Sequence, residues 1–169
     1  VLNGQSPNKV YVAAGTSGLK LLLKNYKLSD DIAFRFADKN SKDYPLTADK
    51  YFSKLKKEKG DVINLFMDFE TFGENIWKTT GIFEFMDELI YKIVKSGNFM
   101  TVSDEALFCK PAGALSMPNT VTWADSERDL SAWLGNSLQQ DAYKKLYSIE
   151  EKLALVNDEG LWKDFGHLQ

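Results

Sequence analysis

The sequence has 169 residues, 44% of them hydrophobic and 13% aromatic, which suits one globular unit with a core and argues against disorder. Its 21 basic and 24 acidic side chains leave a formal net charge of -3, no field suited to nucleic acid, and its longest apolar runs fall far short of the roughly 20 residues a membrane span needs. The single Cys109 cannot form an internal disulfide, and the single His167 cannot build a histidine metal site or a Ser-His pair and reads as a surface or packing residue.

The chain opens Val1-Leu2-Asn3-Gly4, without an initiator Met or a signal-peptide pattern, and reads as a cut through a longer, cytoplasmic protein. Ile32, Phe34 and Phe36 alternate with Ala33 and Arg35, predicting a short strand that ends near Asp38. Thr47 can cap a helix with Tyr51, Phe52 and Leu55 at helical spacing, ending near Lys59 with Gly60 just beyond. Val62 to Met67 is too short and apolar for a helix, so strand, helix and strand predict a right-handed parallel crossover. Beyond Gly81, the positions Ile82, Phe85, Met86, Leu89, Ile90 and Ile93 share one broad helical face. Phe99 to Val102 reads as another strand, followed by a short turn through Ala106 and Leu107 capped by Ser103. Lys110 to Trp123 carries Pro111, Gly113 and Pro118 and reads as a long surface connection of the lid-forming kind. Ser126 and Asp129 then suggest a capping box before one long helix with apolar residues from Leu130 to Leu153 at steps of three or four. The expected organisation is an α/β section over 1–109, a lid-like loop over 110–125 and the start of a helical bundle over 126–169.

Chemistry concentrates where the Val62 to Met67 run ends in Asp68-Phe69-Glu70-Thr71-Phe72-Gly73. Substrate sites in parallel α/β architectures gather at the carboxyl ends of strands. An acid held there by apolar neighbours can keep its proton near neutral pH and act as a general acid. The alternative is an ordinary strand-end Asp that caps the following turn, and the residues alone leave both readings open. Asp68 and Glu70 as Mg or Ca ligands is a weaker reading, because such ions want several oxygens and only Glu74 is near in sequence. Trp77 and Trp123 flank loops near the acids and suit stacking on sugar faces, although a Trp more commonly closes a core. Trp133 and Trp162 fall at apolar helix positions and are assigned to packing. Asp129 is assigned to capping, since acids at a helix start interact favourably with its dipole.

The segment Phe66-Met67-Asp68-Phe69-Glu70-Thr71-Phe72-Gly73-Glu74 with Trp77 resembles the fourth conserved segment of glycoside hydrolase family 57, in its α-amylase branch. Trp123-Ala124-Asp125 with Glu127 to Asn136 is similar to that branch's fifth segment, and Leu21 to Tyr26 with Ser29 to Phe36 also looks familial. The resemblance covers nearly the whole chain. It implies part of an incomplete (β/α)7 barrel followed by a helical bundle segment, and retaining hydrolysis or transfer at α-1,4-glucosidic bonds of an α-glucan or maltooligosaccharide, with no cofactor or metal. By this resemblance Asp68 is the general acid/base, Glu70 and Trp77 line nearby subsites, and Trp123 and Asp125 approach from the later loop.

One departure qualifies the match. The family's first three segments, with a His-Gln-Pro motif and the glutamate nucleophile, have no counterpart here and are expected upstream of Val1, in a missing N-terminal half. A retaining mechanism needs a second carboxylate about 5–5.5 Å from the acid. Glu70 is a poor substitute, because two residues along a strand it projects on the same side about 6–7 Å away. The isolated chain is therefore expected to lack amylase activity, and its unpaired sheet edge and uncovered apolar face to favour self-association. Two other functions fit the residues: a non-catalytic glucan-binding module using Trp77 and Trp123, and a metal-dependent polysaccharide deacetylase-like barrel using Asp68 and Glu70.

Overall fold

A computed structural model describes every residue except Val1, Asn3, Ser17, 104–107, Trp123 and Asp125. It is mixed α/β and divides into two compact units, residues 1–116 and 117–169.

In the first unit, strand β1 (Val10–Ala13) is the centre of a three-stranded sheet. β2 (Lys20–Leu22) pairs with it antiparallel, Tyr11 opposite Leu21, and β3 (Ala114–Leu115) pairs parallel, Val12 opposite Ala114. The 110–123 connection, expected to be all loop, thus supplies an edge strand.

Helix α1 (Tyr26–Ala33) occupies sequence read as leading into a strand, and this overturns the expected strand at Ile32 to Phe36. Leu28, Ile32 and Phe36 are buried at steps of four, whereas Phe34, which the alternating reading placed beside Ile32 and Phe36, is 72% exposed. The helical spacing was present, and the period-two pattern over five residues masked it. Asn25 starts the helix: its Oδ1 accepts from the Leu28 N–H at 3.1 Å. Helix α2 (Ala48–Lys57) forms as expected, with the Thr47 side chain accepting from the Lys50 N–H. Asp49 in its first turn and Lys54, Lys56 and Lys57 in its last complement the helix dipole. Helix α3 (Ile82–Ser96) also matches expectation and lies between two left-handed glycines, Gly81 and Gly97. Ile90 is the exception on its predicted face and is 52% exposed.

These three helices enclose the core, in which the Phe36 and Phe85 rings lie 5.0 Å apart and Tyr51 meets Phe85 edge-on at 5.8 Å. The Tyr51 hydroxyl donates to the Leu28 carbonyl at 2.9 Å, and burial, reinforced by the Asp31 charge, pushes its pKa well up.

A charge network straps α1 to α2 outside this core. Asp31 accepts from Arg35 at 2.8 Å and from Lys54 at 2.8 Å, and Lys54 also bonds Asp43. The hydrogen bond from Lys54 holds the Asp43 carboxyl below its ordinary value. Burial lowers the Lys54 pKa, but its bonds to Asp31 and Asp43 outweigh that and leave it raised. A lowered acid contributes stability above its unfolded pKa of about 3.9, lost as pH falls through its folded value; a raised lysine contributes below about 10.4, lost as pH rises through its folded value. Asp43→Asn is therefore expected to cost about 0.5–1 kcal/mol across the neutral range, as for a partly exposed ion pair. In urea unfolding that difference should shrink below about pH 4; a difference unchanged at pH 3 would contradict the pairing.

The second unit replaces the expected single long helix by α4 (Ser131–Leu134), α5 (Ser137–Tyr147), α6 (Glu150–Val156) and α7 (Glu159–Leu168). The chain turns at Gly135, at Ser148 and at Asn157, which is left-handed. The capping box forms at Asn136 and Gln139, not at Ser126 and Asp129. Asp129 instead accepts from the Ser131 N–H at 2.8 Å, a local turn before α4. Phe165 is buried between Trp162 and Tyr147, so Trp162 has the packing role expected of it, while Trp133 is 59% exposed.

One further expectation is corrected. Phe99 to Val102 is not a strand, and Val102 and Ser103 are already helical; the predicted turn through Ala106 and Leu107 lies outside the described residues.

Candidate active site

Val62 to Met67 is extended, but it is not the ladder-paired strand of a parallel crossover. Its pairing is an isolated bridge, Lys24 with Asn64. The alternation holds from Ile63 onward, Val62 being buried as well. Ile63, Leu65 and Met67 pack against the core while Phe66 and Asp68, on the opposite side, are exposed.

Asp68 begins a 3-10 turn, Phe69–Thr71, with extended backbone. Its side chain makes no capping hydrogen bond. The carboxylate thus does not perform the structural task that would explain it without chemistry, and it also does not sit in the apolar setting expected from the sequence. The turn is braced from within. Thr71 and Ile76 are buried, and the Asn75 N–H donates to the Glu70 carbonyl at 2.9 Å, the Ile76 N–H to the Thr71 carbonyl at 3.1 Å and the Gly73 N–H to the Ile76 carbonyl at 2.9 Å. Gly73 is left-handed, and a Cβ there would meet the Phe83 ring at 3.2 Å, so this closed loop requires glycine. Trp77 follows the buried Ile76 directly and is 68% exposed. The structure therefore sets Asp68, Glu70 and Trp77 on one braced loop, with both carboxylates and the indole open to solvent. Phe69, at 91% exposure, stands between the two acids in sequence. Trp123 and Asp125 lie outside the described residues.

The residue types agree with a carbohydrate site: an unengaged acid, a second acid and exposed aromatic faces. The sequence model of Glycosyl hydrolase family 57 matches residues 1–118. The chain belongs to glycosyl hydrolase family 57. A protein described as "Putative alpha-amylase" from Methanocaldococcus jannaschii is 46% identical over 153 residues, which cover 88% of this chain and 32% of that protein. The chain thus spans about a third of the length of that relative. No solved structure is a significant match. The family match includes Asp68, Glu70 and Trp77, and Trp123 and Asp125 lie beyond its last residue.

Sequence reasoning missed what holds the acid-bearing segment of this family 57 chain. Asn8 and Asn25 are buried and bonded side chain to side chain at 2.9 Å. Asn8 also donates to Glu58 at 2.7 Å, and its carbonyl accepts from the Asp61 N–H at 2.9 Å. The Asn25 N–H donates to the Asn64 carbonyl at 2.9 Å, and the Asn64 side chain donates to the Leu23 carbonyl at 3.2 Å. Buried amides so fully paired hold one arrangement of the chain, since leaving any of them unpaired would cost about 1–3 kcal/mol. Asn25 immediately before a helix was a legible capping signal once α1 is read as a helix; the partners of Asn8 and Asn64 were not legible.

A cleft of about 660 Å³ lies elsewhere, between α2, the 60–65 segment and the end of α3, with Phe52, Leu55, Ile63, Ile93 and Phe99 among its walls. Asp68, Glu70 and Trp77 do not line it. Among the described residues no three His, Cys, Asp or Glu side chains are grouped as metal donors, and no helix is long and apolar enough to cross a membrane.

Proposed function

We propose that this chain carries the general acid/base of a retaining α-glucan hydrolase of the α-amylase type, with Asp68 in that role, and that the nucleophilic carboxylate comes from polypeptide outside these 169 residues. The observation that carries the reading is Asp68 itself, a carboxylate at the end of an extended segment, clamped on both sides and spent on no capping bond. The family match and the similarity to a protein described as an alpha-amylase support the reaction class. In the same reading Val62 to Met67 becomes a strand of the family's incomplete (β/α)7 barrel, Glu70 and Trp77 line subsites next to the cleaved bond, and Trp123 and Asp125 reach the substrate from a later loop.

Asp68, protonated, gives its proton to the glycosidic oxygen as the C1–O bond breaks and the bonding pair stays on that oxygen. The nucleophilic carboxylate forms the new bond to C1. Asp68, now ionised, takes a proton from the incoming water as its oxygen attacks C1 and releases the nucleophile. Glu70 is not assigned as the nucleophile, because it sits two residues from Asp68 on the same short turn, which leaves no room for a sugar between the two carboxylates on opposite faces of C1.

The test follows the anomeric configuration of newly formed reducing ends by NMR on maltooligosaccharides. The complete polypeptide carrying these residues is expected to release the α-anomer first, and the 169-residue chain alone to cleave nothing. Release of the β-anomer, or turnover by the isolated chain, would contradict the reading. Binding without cleavage by the complete polypeptide would instead support a glucan-binding module, the second reading, which the exposed Trp77 favours.

A further inference from the structure

Asp68 has no hydrogen-bonded partner for its carboxylate among the described residues, yet the backbone just before it is fixed, and the group that fixes it is a serine on another element. Ser29 lies in the second turn of α1 with 0% exposure. Its Oγ donates to the Asn25 carbonyl at 2.8 Å, a bond within the helix start. The same Oγ accepts from the Phe66 N–H at 3.1 Å, across 37 residues of sequence. Among the described residues, that N–H is the last backbone group before the Asp68 turn to be bonded to another element. Met67 then packs against the core on the opposite side. With residue 66 held by a hydrogen bond and residue 67 by packing, the direction in which residue 68 projects is determined, because alternate residues of an extended chain share a side and lie about 6–7 Å apart.

We propose that Ser29 is a positioning residue for Asp68, acting through the Phe66 N–H to set where the carboxyl meets the glycosidic oxygen. The proposal rests on the reading of Asp68 as acid/base. Its chemical basis is the steepness of proton transfer with placement: a displacement of about 1 Å can cost on the order of 100-fold in rate. Loss of the Ser29 acceptor frees the Phe66 amide to turn toward water and removes that restraint without touching the acid.

The experiment measures kcat/KM of the complete polypeptide on phenyl and 4-nitrophenyl α-maltoside. Phenoxide leaves poorly and needs the proton from Asp68 as C1–O breaks, whereas 4-nitrophenoxide carries the bonding pair away with little help. Asp68→Asn should therefore lose far more activity on the phenyl substrate than on the 4-nitrophenyl one. Ser29→Ala should show the same selectivity, losing about 10- to 100-fold on phenyl α-maltoside and several-fold less on its partner. Tyr51→Phe removes another buried hydroxyl, bonded to Leu28 and not to the 64–68 segment, and should lower both substrates alike. If Asp68→Asn is selective and Ser29→Ala is not, the positioning role is overturned and the acid/base reading stands. If Asp68→Asn is itself unselective, or the parent turns over neither substrate, the acid/base reading fails and the positioning role with it. Should Ser29→Ala not fold, Ser29→Cys keeps nearly the same shape with a weak acceptor; selective loss there supports the proposal and equal loss overturns it.

Discussion

Asp68→Asn, made in the complete polypeptide, is expected to lower kcat/KM on maltooligosaccharides by about 10²–10⁴-fold, the range that general acid catalysis supplies. The fold should not notice. Asp68 is exposed and caps nothing, so its replacement falls among surface changes that shift stability by about 0.5 kcal/mol or less. That combination is diagnostic, because a carboxylate kept for structure would show the reverse. Activity within threefold of the parent would remove Asp68 from the mechanism. Asp68→Ala on 4-nitrophenyl α-maltoside offers an independent check: the leaving group departs without the acid, azide then attacks the glycosyl intermediate without needing a base, and it should restore part of the lost turnover and yield a glycosyl azide.

Gly60→Ala is expected to produce the largest loss of stability from a single methyl group. Gly60 has φ of +146°, and a Cβ there would lie 2.2 Å from the Asn8 carbonyl oxygen and 2.5 Å from the Asn8 Cβ. Neither contact is with the far end of a flexible side chain. Relief requires moving the backbone carbonyl that accepts from Asp61 and Val62, and with it the amide bonded to Asn25. Backbone strain of about 1–3 kcal/mol and overpacking of about 1–3 kcal/mol then add to roughly 3 kcal/mol or more. For the unit of residues 1–116 that holds Gly60, that is a fall in Tm of roughly 10–20 °C. A loss under about 1 kcal/mol would mean that the Asn8 junction yields easily and does not hold the acid-bearing segment.

The parts of the fold legible in the sequence were those that local chemistry determines. Thr47 before an amphipathic run gave α2, and a broad apolar face between Gly81 and Gly97 gave α3. What depended on distant partners was not legible. The alternation of Ile32, Phe34 and Phe36 matched a strand, yet the core takes residues 28, 32 and 36, a choice made by α2 and α3 packing against them. Ile63 to Met67 alternates as a strand should, but a ladder requires neighbours, and sequence pattern does not supply them. In the second unit, steps of three or four ran on from Leu130 to Leu153 through Gly135 and Ser148, where the chain turns. The candidate site divides in the same way. Asp68, Glu70 and Trp77 stand on one local motif, so the sequence alone brings them together as candidates. Ser29 is an unremarked helical serine until its partner at residue 66 is known.

The division of buried side chains between the two units bears on how the molecule comes apart. Among the described residues every buried hydrophobic side chain but one belongs to residues 1–116, and that one is Phe165. A unit with so few buried apolar side chains opens at low free energy, so the amides of α5 and α7 are expected to exchange with solvent through local events while those of α2 and α3 wait for the core to open. Unfolding of the whole chain is then not a single all-or-none transition. Of the four tryptophans, Trp77 alone precedes residue 117, and at 68% exposure its indole changes surroundings little when that unit opens, so amide exchange in α2 and α3 is the better report on the unit that holds Asp68.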